Sequence, residues 1–333
     1  MLAVDLIEKI QKDEISLLDQ THLLQNFSSD QQKDLSNAIK LSNSVTTIEF
    51  KDCNLNGNIL NILAEDLSYN GYVKALKFNN VPNLKKAVYA LKEVIQFNTS
   101  IEELEFSNIS EGNYVFCQIA PSLTGNNKVK SLTLRNIGID DNGLELLIAI
   151  IEHNKSIYNL DISNQDLNKD NTMLMLEALA GNTTITSLNL SSTGLTKVYL
   201  EKLSESMVKN GILNALDLSK NGLISSDLYS LSSYLKQLEE IDLSQNNIDR
   251  YFIKDFARSL DSETKLKSIK LNNNNLGDIG AIMLARYAQN IGSLSTLDIS
   301  NNNLGKIGIF LAKEAFETDN HISLARAIDN LVI

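Results

Sequence analysis

One spacing governs this sequence. Residues 45–50 read VTTIEF, with apolar side chains at the first, fourth and sixth places. The same spacing returns from Val45, Val73, Ile101, Val129, Ile157, Ile185, Leu213, Leu238, Leu266 and Leu294. Eight of the nine intervals between these starts are 28 residues, and the ninth, from Leu213 to Leu238, is 25. A period held over ten units is the mark of a stack of like supersecondary units. Each is too small to bury its own apolar face and is completed by its neighbours.

With each start counted as offset zero, the two halves of a unit follow different rhythms. Offsets 3 and 5 are apolar and offsets 2, 4 and 6 mostly polar, an alternation that turns one face of a short strand inward. Further on the spacing becomes helical: Leu144, Leu147, Ile148 and Ile151 lie three or four apart, and Ile282, Leu284 and Ala285 precede Ala288 in like manner. About six aliphatic side chains per unit, at roughly 1.5–3 kcal/mol each when fully buried, suffice to hold such a stack. With Trp absent and aromatics at 6%, the core is expected to be aliphatic.

The fullest copies of the pattern L-x-x-L-x-L-x-x-N-x-L are Leu266, Ile269, Leu271, Asn274, Leu276 and Leu294, Leu297, Ile299, Asn302, Leu304. This resembles the leucine-rich-repeat family, and the 28-residue length is similar to its ribonuclease-inhibitor-like class. The resemblance covers roughly residues 30–333. It implies an α/β fold, a right-handed leucine-rich-repeat solenoid (horseshoe) with parallel strands on the concave face and helices on the convex face. Such a motif specifies fold and says little of function.

Asparagine occurs 40 times. Asn70, Asn98, Asn126, Asn154, Asn182 and Asn210 each stand three residues before a strand start. Asn tolerates the left-handed conformation that ends a helix, so these are expected to be turn residues. Offset 8 reads Cys53, Val81, Ile109, Ile137, Gln165 and Thr193, then Asn221, Asn246, Asn274 and Asn302. The resemblance implies that Asn at this place turns inward as a structural ladder. A buried amide needs all its partners, so a satisfied ladder is expected only in the C-terminal half, with apolar packing replacing it in the N-terminal half.

Three segments are expected: a helical N-terminal cap over 1–44, ten repeats over 45–304, and a C-terminal cap over 305–333. In the first, Leu6, Ile7 and Ile10 mark one amphipathic helix and Leu17, Leu18, Leu23 and Leu24 a second. In the last, a capping helix is followed by a degenerate eleventh strand over 322–333, with a terminal helix as the alternative. The 25-residue repeat reads as a trimmed loop or a local bend.

Catalytic chemistry finds few candidates. His22, His153 and His321 fall in the N-terminal cap, a repeat turn and the C-terminal cap, too far apart in a linear stack to meet. Cys53 and Cys117 are 64 residues apart and give neither a disulfide framework nor metal-ligand spacing. Glycine pairs such as Gly277 and Gly280 read as helix starts, not phosphate cradles. Carboxylates are plentiful, yet on an open surface no pocket raises a pKa to make an acid–base pair. No cofactor and no metal are expected, and the chain is not expected to be an enzyme.

Function is then expected on the strand face. Offset 4 reads Glu49, Lys77, Glu105, Thr133, Asp161, Asn189, Asp217, Asp242, Lys270 and Asp298, six of ten being acids. Glu103 and Glu240 add to it from offset 2, Arg135 from offset 6, and Tyr158 from the edge. With a net charge of −11, these residues predict a protein–protein interaction scaffold for a basic partner, and exclude nucleic acid and anionic lipid. The absence of a leader-like N-terminus and of a long apolar run predicts a cytoplasmic protein without membrane insertion, and a monomer is expected. The composition resembles leucine-rich-repeat effectors that bacterial pathogens deliver into host cells. The repeat class also includes GTPase-activating proteins, for which Arg135 and Arg250 would be the assisting arginines.

Overall fold

The structure, a computed structural model, describes residues 3–19, 26–54, 58–235, 237–260, 263–288 and 291–317. The chain divides into two compact units. One holds everything up to Gln165 together with Lys169–Asn171, the other Asp166–Asn168 and the chain from Thr172 on. The first unit runs α1 (Ala3–Gln11), β1 (Leu17–Leu18), α2 (Ser29–Leu41), β2 (Thr47–Lys51), α3 (Asn58–Tyr69), β3 (Ala75–Asn79), α4 (Val88–Phe97), β4 (Glu103–Ser107), α5 (Gly112–Thr124), β5 (Ser131–Arg135), α6 (Asp141–His153) and β6 (Asn159–Asp161). The second runs α7 (Thr172–Ala178), β7 (Ser187–Asn189), α8 (Lys197–Asn210), β8 (Ala215–Asp217), α9 (Ser232–Leu235), β9 (Glu240–Asp242), α10 (Arg250–Ser259), β10 (Ser268–Lys270), α11 (Gly277–Ala288), β11 (Thr296–Asp298) and α12 (Lys306–Glu317).

Within each unit the strands lie side by side in chain order, all parallel. All ten expected strands form, and each begins at offset 2. Both units are thus α/β leucine-rich-repeat solenoids. Leu17 and Leu18 depart from expectation. They form β1 instead of a helix, pairing with Thr47 and Ile48 on the edge of β2 that β3 does not cover. His22, Leu23, Leu24, His321 and the strand or helix expected over 322–333 lie outside the described residues.

The core is not purely aliphatic. Parallel strands in register set like positions above one another. At offset 5 this stacks Phe50 on Phe78 and Phe78 on Phe106, with ring centroids 5.2 and 5.4 Å apart and planes within 8°. Each such pair adds about 0.5–1.5 kcal/mol beyond its burial.

The asparagines before each strand are not left-handed. Asn98, Asn154 and Asn182 have φ of −68°, −70° and −73°. They are buried, and their side chains join one repeat to the next. Asn98 Nδ2 donates to the Leu67 carbonyl at 2.5 Å and to the Asn70 carbonyl at 3.1 Å, while its Oδ1 accepts from the amides of Ser100 and Ile101. Asn154 does the same to Leu123 and Asn126, and to Ser156 and Ile157. Asn210 bonds Leu179 and Asn182 in this way in the second unit. Each amide therefore satisfies a carbonyl left over at the end of the preceding helix.

The left-handed residues lie elsewhere, at offset 7. Asp52, Asn80, Asn108, Asn136, Asn164, Ser192, Lys220, Gln245, Asn273 and Asn301 all have φ between 49° and 58°. There the chain leaves the strand while its amide still bonds the next repeat, as from Asn80 to the Ser107 carbonyl at 3.0 Å. The offset-8 amides form a second ladder. Asn221, Asn246, Asn274 and Asn302 each donate to two or more carbonyls. Gln165 does likewise to Leu134 and Ile162, and the Thr193 hydroxyl bonds the Leu190 carbonyl.

The 25-residue repeat is shortened in its helical half: α8 has 14 residues and α9 four. Leu235 stands where the helix-end column would place an Asn. Helix α8 closes on itself through Gly211, whose amide bonds the Met207 carbonyl at φ 69°. The buried Tyr234 hydroxyl takes the Leu213 carbonyl at 3.1 Å.

The two asparagine columns separate under mutation. Asn136→Gly keeps the left-handed turn and stays within about 0.5 kcal/mol of wild type in urea unfolding. Asn154→Ala strands buried amides and carbonyls and costs about 3 kcal/mol. Equal losses would refute the roles assigned here.

Candidate interaction surfaces

Offsets 2, 4 and 6 alternate with the buried offsets 3 and 5, so their side chains leave the opposite side of each strand. In the first unit the charges there are largely paired. Lys77 Nζ lies 2.6 Å from Glu103. Arg135 Nη2 lies 2.6 Å from Asp161, and its Nε donates to Ser163 Oγ at 3.3 Å. Asp161 is itself buried. Glu105 accepts from Ser107 Oγ at 2.6 Å, Glu49 is half-buried in β2, and Tyr158 is exposed just before β6.

The strand face of the second unit is the more acidic of the two. Asp217, Glu240, Asp242 and Asp298 share its strand face with Lys270, four carboxylates to one ammonium. Lys270 Nζ lies 3.3 Å from Asp242, and Glu240 is exposed at the start of β9. Burial pushes the Asp217 carboxyl above the usual aspartate range. Hydrogen bonds from Ser219 pull the other way, and the Asp242 charge adds to the rise.

The sequence reading missed why aspartate sits at offset 4. Asp161, Asn189, Asp217, Asp242 and Asp298 each accept, through Oδ1, the amide two residues on, at 2.8–3.0 Å. That local turn competes with the strand ladder. Strands β6, β7, β8, β9 and β11 accordingly stop at offset 4, while β2 to β5, with Glu49, Lys77, Glu105 and Thr133 there, run on to offset 6. Strand β10 stops without such a cap, since its partners β9 and β11 end at the same level. The signal is legible as DIS, NLS, DLS, DLS and DIS at 161–163, 189–191, 217–219, 242–244 and 298–300. One oxygen of each of these aspartates is thus engaged within the fold.

Arg250 opens α10 with its guanidinium 5.2 Å from the Tyr251 ring centre. His153 ends α6 at the surface. Among the described residues no group of three or more His, Cys, Asp or Glu could hold a metal ion, and no helix is long and apolar enough to cross a membrane.

Residues 99–313, well over half of the 333, match the family described as the MHP1/HER1/GIP3 LRR domain. No curated protein matches the chain. Among solved structures, leiomodin-1 actin-binding site 2 is similar at 15% identity and a TM-score of 0.33, covering 40% of this chain and 78% of that one. The tropomodulin C-terminal domain of Caenorhabditis elegans is similar at 15% identity and a TM-score of 0.37, covering 44% of this chain and 89% of that one.

A carboxyl whose folded pKa is raised favours the fold only while protonated. Its contribution is complete below the ordinary aspartate range and is lost as pH climbs through the folded value. Asp217→Asn keeps the acceptor for the Ser219 amide, as Asn189 does for Ser191. The variant therefore melts higher than wild type at pH 7, and the two melting temperatures converge on acidification towards pH 3.8, the unperturbed value. A lower melting temperature for the variant at pH 7 would contradict this.

Proposed function

The chain belongs to the MHP1/HER1/GIP3 leucine-rich-repeat domain family, and from that membership we propose that it is a protein-interaction scaffold whose second unit takes a basic protein on its strand face. The charge of that face supports the reading: Asp217, Glu240, Asp242 and Asp298 surround the single Lys270, and Asp217 is already burdened by burial and by Asp242. A cationic surface laid over these carboxylates relieves their mutual repulsion and is steered to them before contact. The first unit, with Lys77 bound to Glu103 and Arg135 to Asp161, contributes shape more than charge.

We place the repeats in the ribonuclease-inhibitor-like class on their 28-residue length. An arginine finger is the weaker reading, since Arg135 is held by Asp161 and Ser163, and Arg250 lies against Tyr251. Delivery into a host as a bacterial effector rests on the asparagine-rich composition alone, and 16 of the 40 asparagines fill the structural columns described above.

The scaffold reading is tested by removing charge without removing caps. A variant carrying Asp217→Asn, Asp242→Asn, Asp298→Asn and Glu240→Gln should melt no lower than wild type and lose capture of basic proteins from lysate. Wild-type capture should itself weaken as salt shortens the screening length below about 8 Å. Undiminished capture by the neutral variant would remove the strand face of the second unit as the site.

A further inference from the structure

The first unit carries a second surface on its helices. Leu41 ends α2, Tyr69 ends α3 and Phe97 ends α4, each four residues before a strand start, and they are 70%, 77% and 58% exposed. These large side chains stand clear of the core, whereas the residues that follow them, Ser42, Asn70 and Asn98, are buried. In the next repeat the position falls to Gly125. The ridge ends there at a hollow of about 490 Å³, with Ile95, Pro121, Gly125 and Lys128 in its wall. One helical turn back along the ridge, Glu65 and Glu93 occupy equivalent places on α3 and α4, both exposed. Of the lysines beside them, Lys40 is bound to Asp66 at 2.8 Å and also feels the Glu65 charge, and Lys92 is half-buried.

We propose that this ridge and hollow form a docking site for a basic amphipathic helix of a partner protein, with one of its apolar side chains seated over Gly125. Packed helices lie about 8–10 Å apart, so Glu65 and Glu93 stand about one helix spacing from each other. A partner helix presents residues i and i+7 on one face about 10.5 Å apart, so two of its lysines or arginines meet both carboxylates. Its apolar residues lie along Leu41, Tyr69 and Phe97, and the rings of Tyr69 and Phe97 also accept a cation on their faces. The hollow's wall contains no carboxylate; Ile95 and Pro121 beside Gly125 give an anchor apolar contact, among amides, hydroxyls and Lys128 that can bond the polar flank of the partner helix. Large anchors filling pockets dominate such interfaces, and Tyr is among the residues favoured in them. These residues are separate from the strand face, so either surface can fail without the other.

The test uses the full chain and a fluorescein-labelled peptide of about 18 residues, long enough as a helix to cross three helices, made of Leu and Lys in amphipathic order. Anisotropy should show binding by wild type and none of the counterpart with Glu for Lys. Binding should weaken at least tenfold for Gly125→Phe and for Glu65→Lys with Glu93→Lys, and persist in the neutral strand-face variant. Gly125 has φ −92° and open space where a Cβ would stand, so the phenylalanine fits the fold. Should its melting curve shift nonetheless, Tyr69→Ser with Phe97→Ser, at exposed positions, gives the same reading. Equal binding of the Glu peptide, undiminished binding by these variants, or loss only in the strand-face variant would overturn the proposal. Self-association in sedimentation that Gly125→Phe abolishes would overturn it too, by giving the ridge to a second copy.

Discussion

A helix that ends against a neighbour, out of reach of water, leaves carbonyl groups that something must bond. In this chain that something is the side-chain amide of asparagine. It offers two donors to the helix behind it and one acceptor to the strand ahead, on a stem short enough to stay rigid. Asn98 and Asn154 each make four such bonds. At the start of the column, Ser42 meets the strand-side half alone, its Oγ accepting the Ser44 and Val45 amides. In the second unit the column ends at Asn210, where Gly211 and Tyr234 take over helix closure, and the offset-8 amides become the polar spine. The aliphatic core and the phenylalanine stack supply the free energy of burial, but they could not be buried if these backbone groups went unmet.

Much of this was legible. A period of 28 with an inner alternation of two fixes where each strand starts and which of its side chains face inward, and all ten strands obey it. The reading failed where one residue type serves two purposes. Asparagine fills both the bridging column and the left-handed column, and the sequence reading assigned the backbone role to the wrong one. The clue was uniformity. The bridging column is asparagine six times without a break, as a side-chain role demands, whereas offset 7 mixes in Asp, Ser, Lys and Gln, as a backbone role allows. The phenylalanine stack was equally present in the spacing of Phe50, Phe78 and Phe106. Strand β1 was not, since two residues carry no period.

The candidate surfaces were less legible, because charge on a strand serves the fold before it serves a partner. Asp161 both caps its strand and anchors Arg135, so its place in an acidic column reflects local architecture. In the second unit the aspartates cap as well, but only one lysine answers their charge. Exposed aromatic rings, which carry more binding energy per residue than carboxylates, stand instead mostly on helices, Tyr69, Tyr89, Phe97 and Tyr114 in the first unit and Tyr251 and Phe310 in the second. Helical periodicity marks which residues face the core and does not distinguish an idle exposed residue from a useful one, so that face drew no attention in the sequence.

The bridging amides also restrict how such a chain can change in length. The rungs Asn70, Asn98, Asn154 and Asn210 meet carbonyls 28 and 31 residues behind them, as Asn98 meets Asn70 and Leu67. Removing or duplicating one whole period returns every later rung to an equivalent partner, while a gain or loss of a few residues within a helix sets an amide against the wrong atoms. The one tolerated irregularity, the 25-residue repeat, falls where Leu235 has replaced the rung. A lineage of such proteins is therefore expected to grow and shrink in whole steps, with its exceptions confined to repeats that have given up the asparagine.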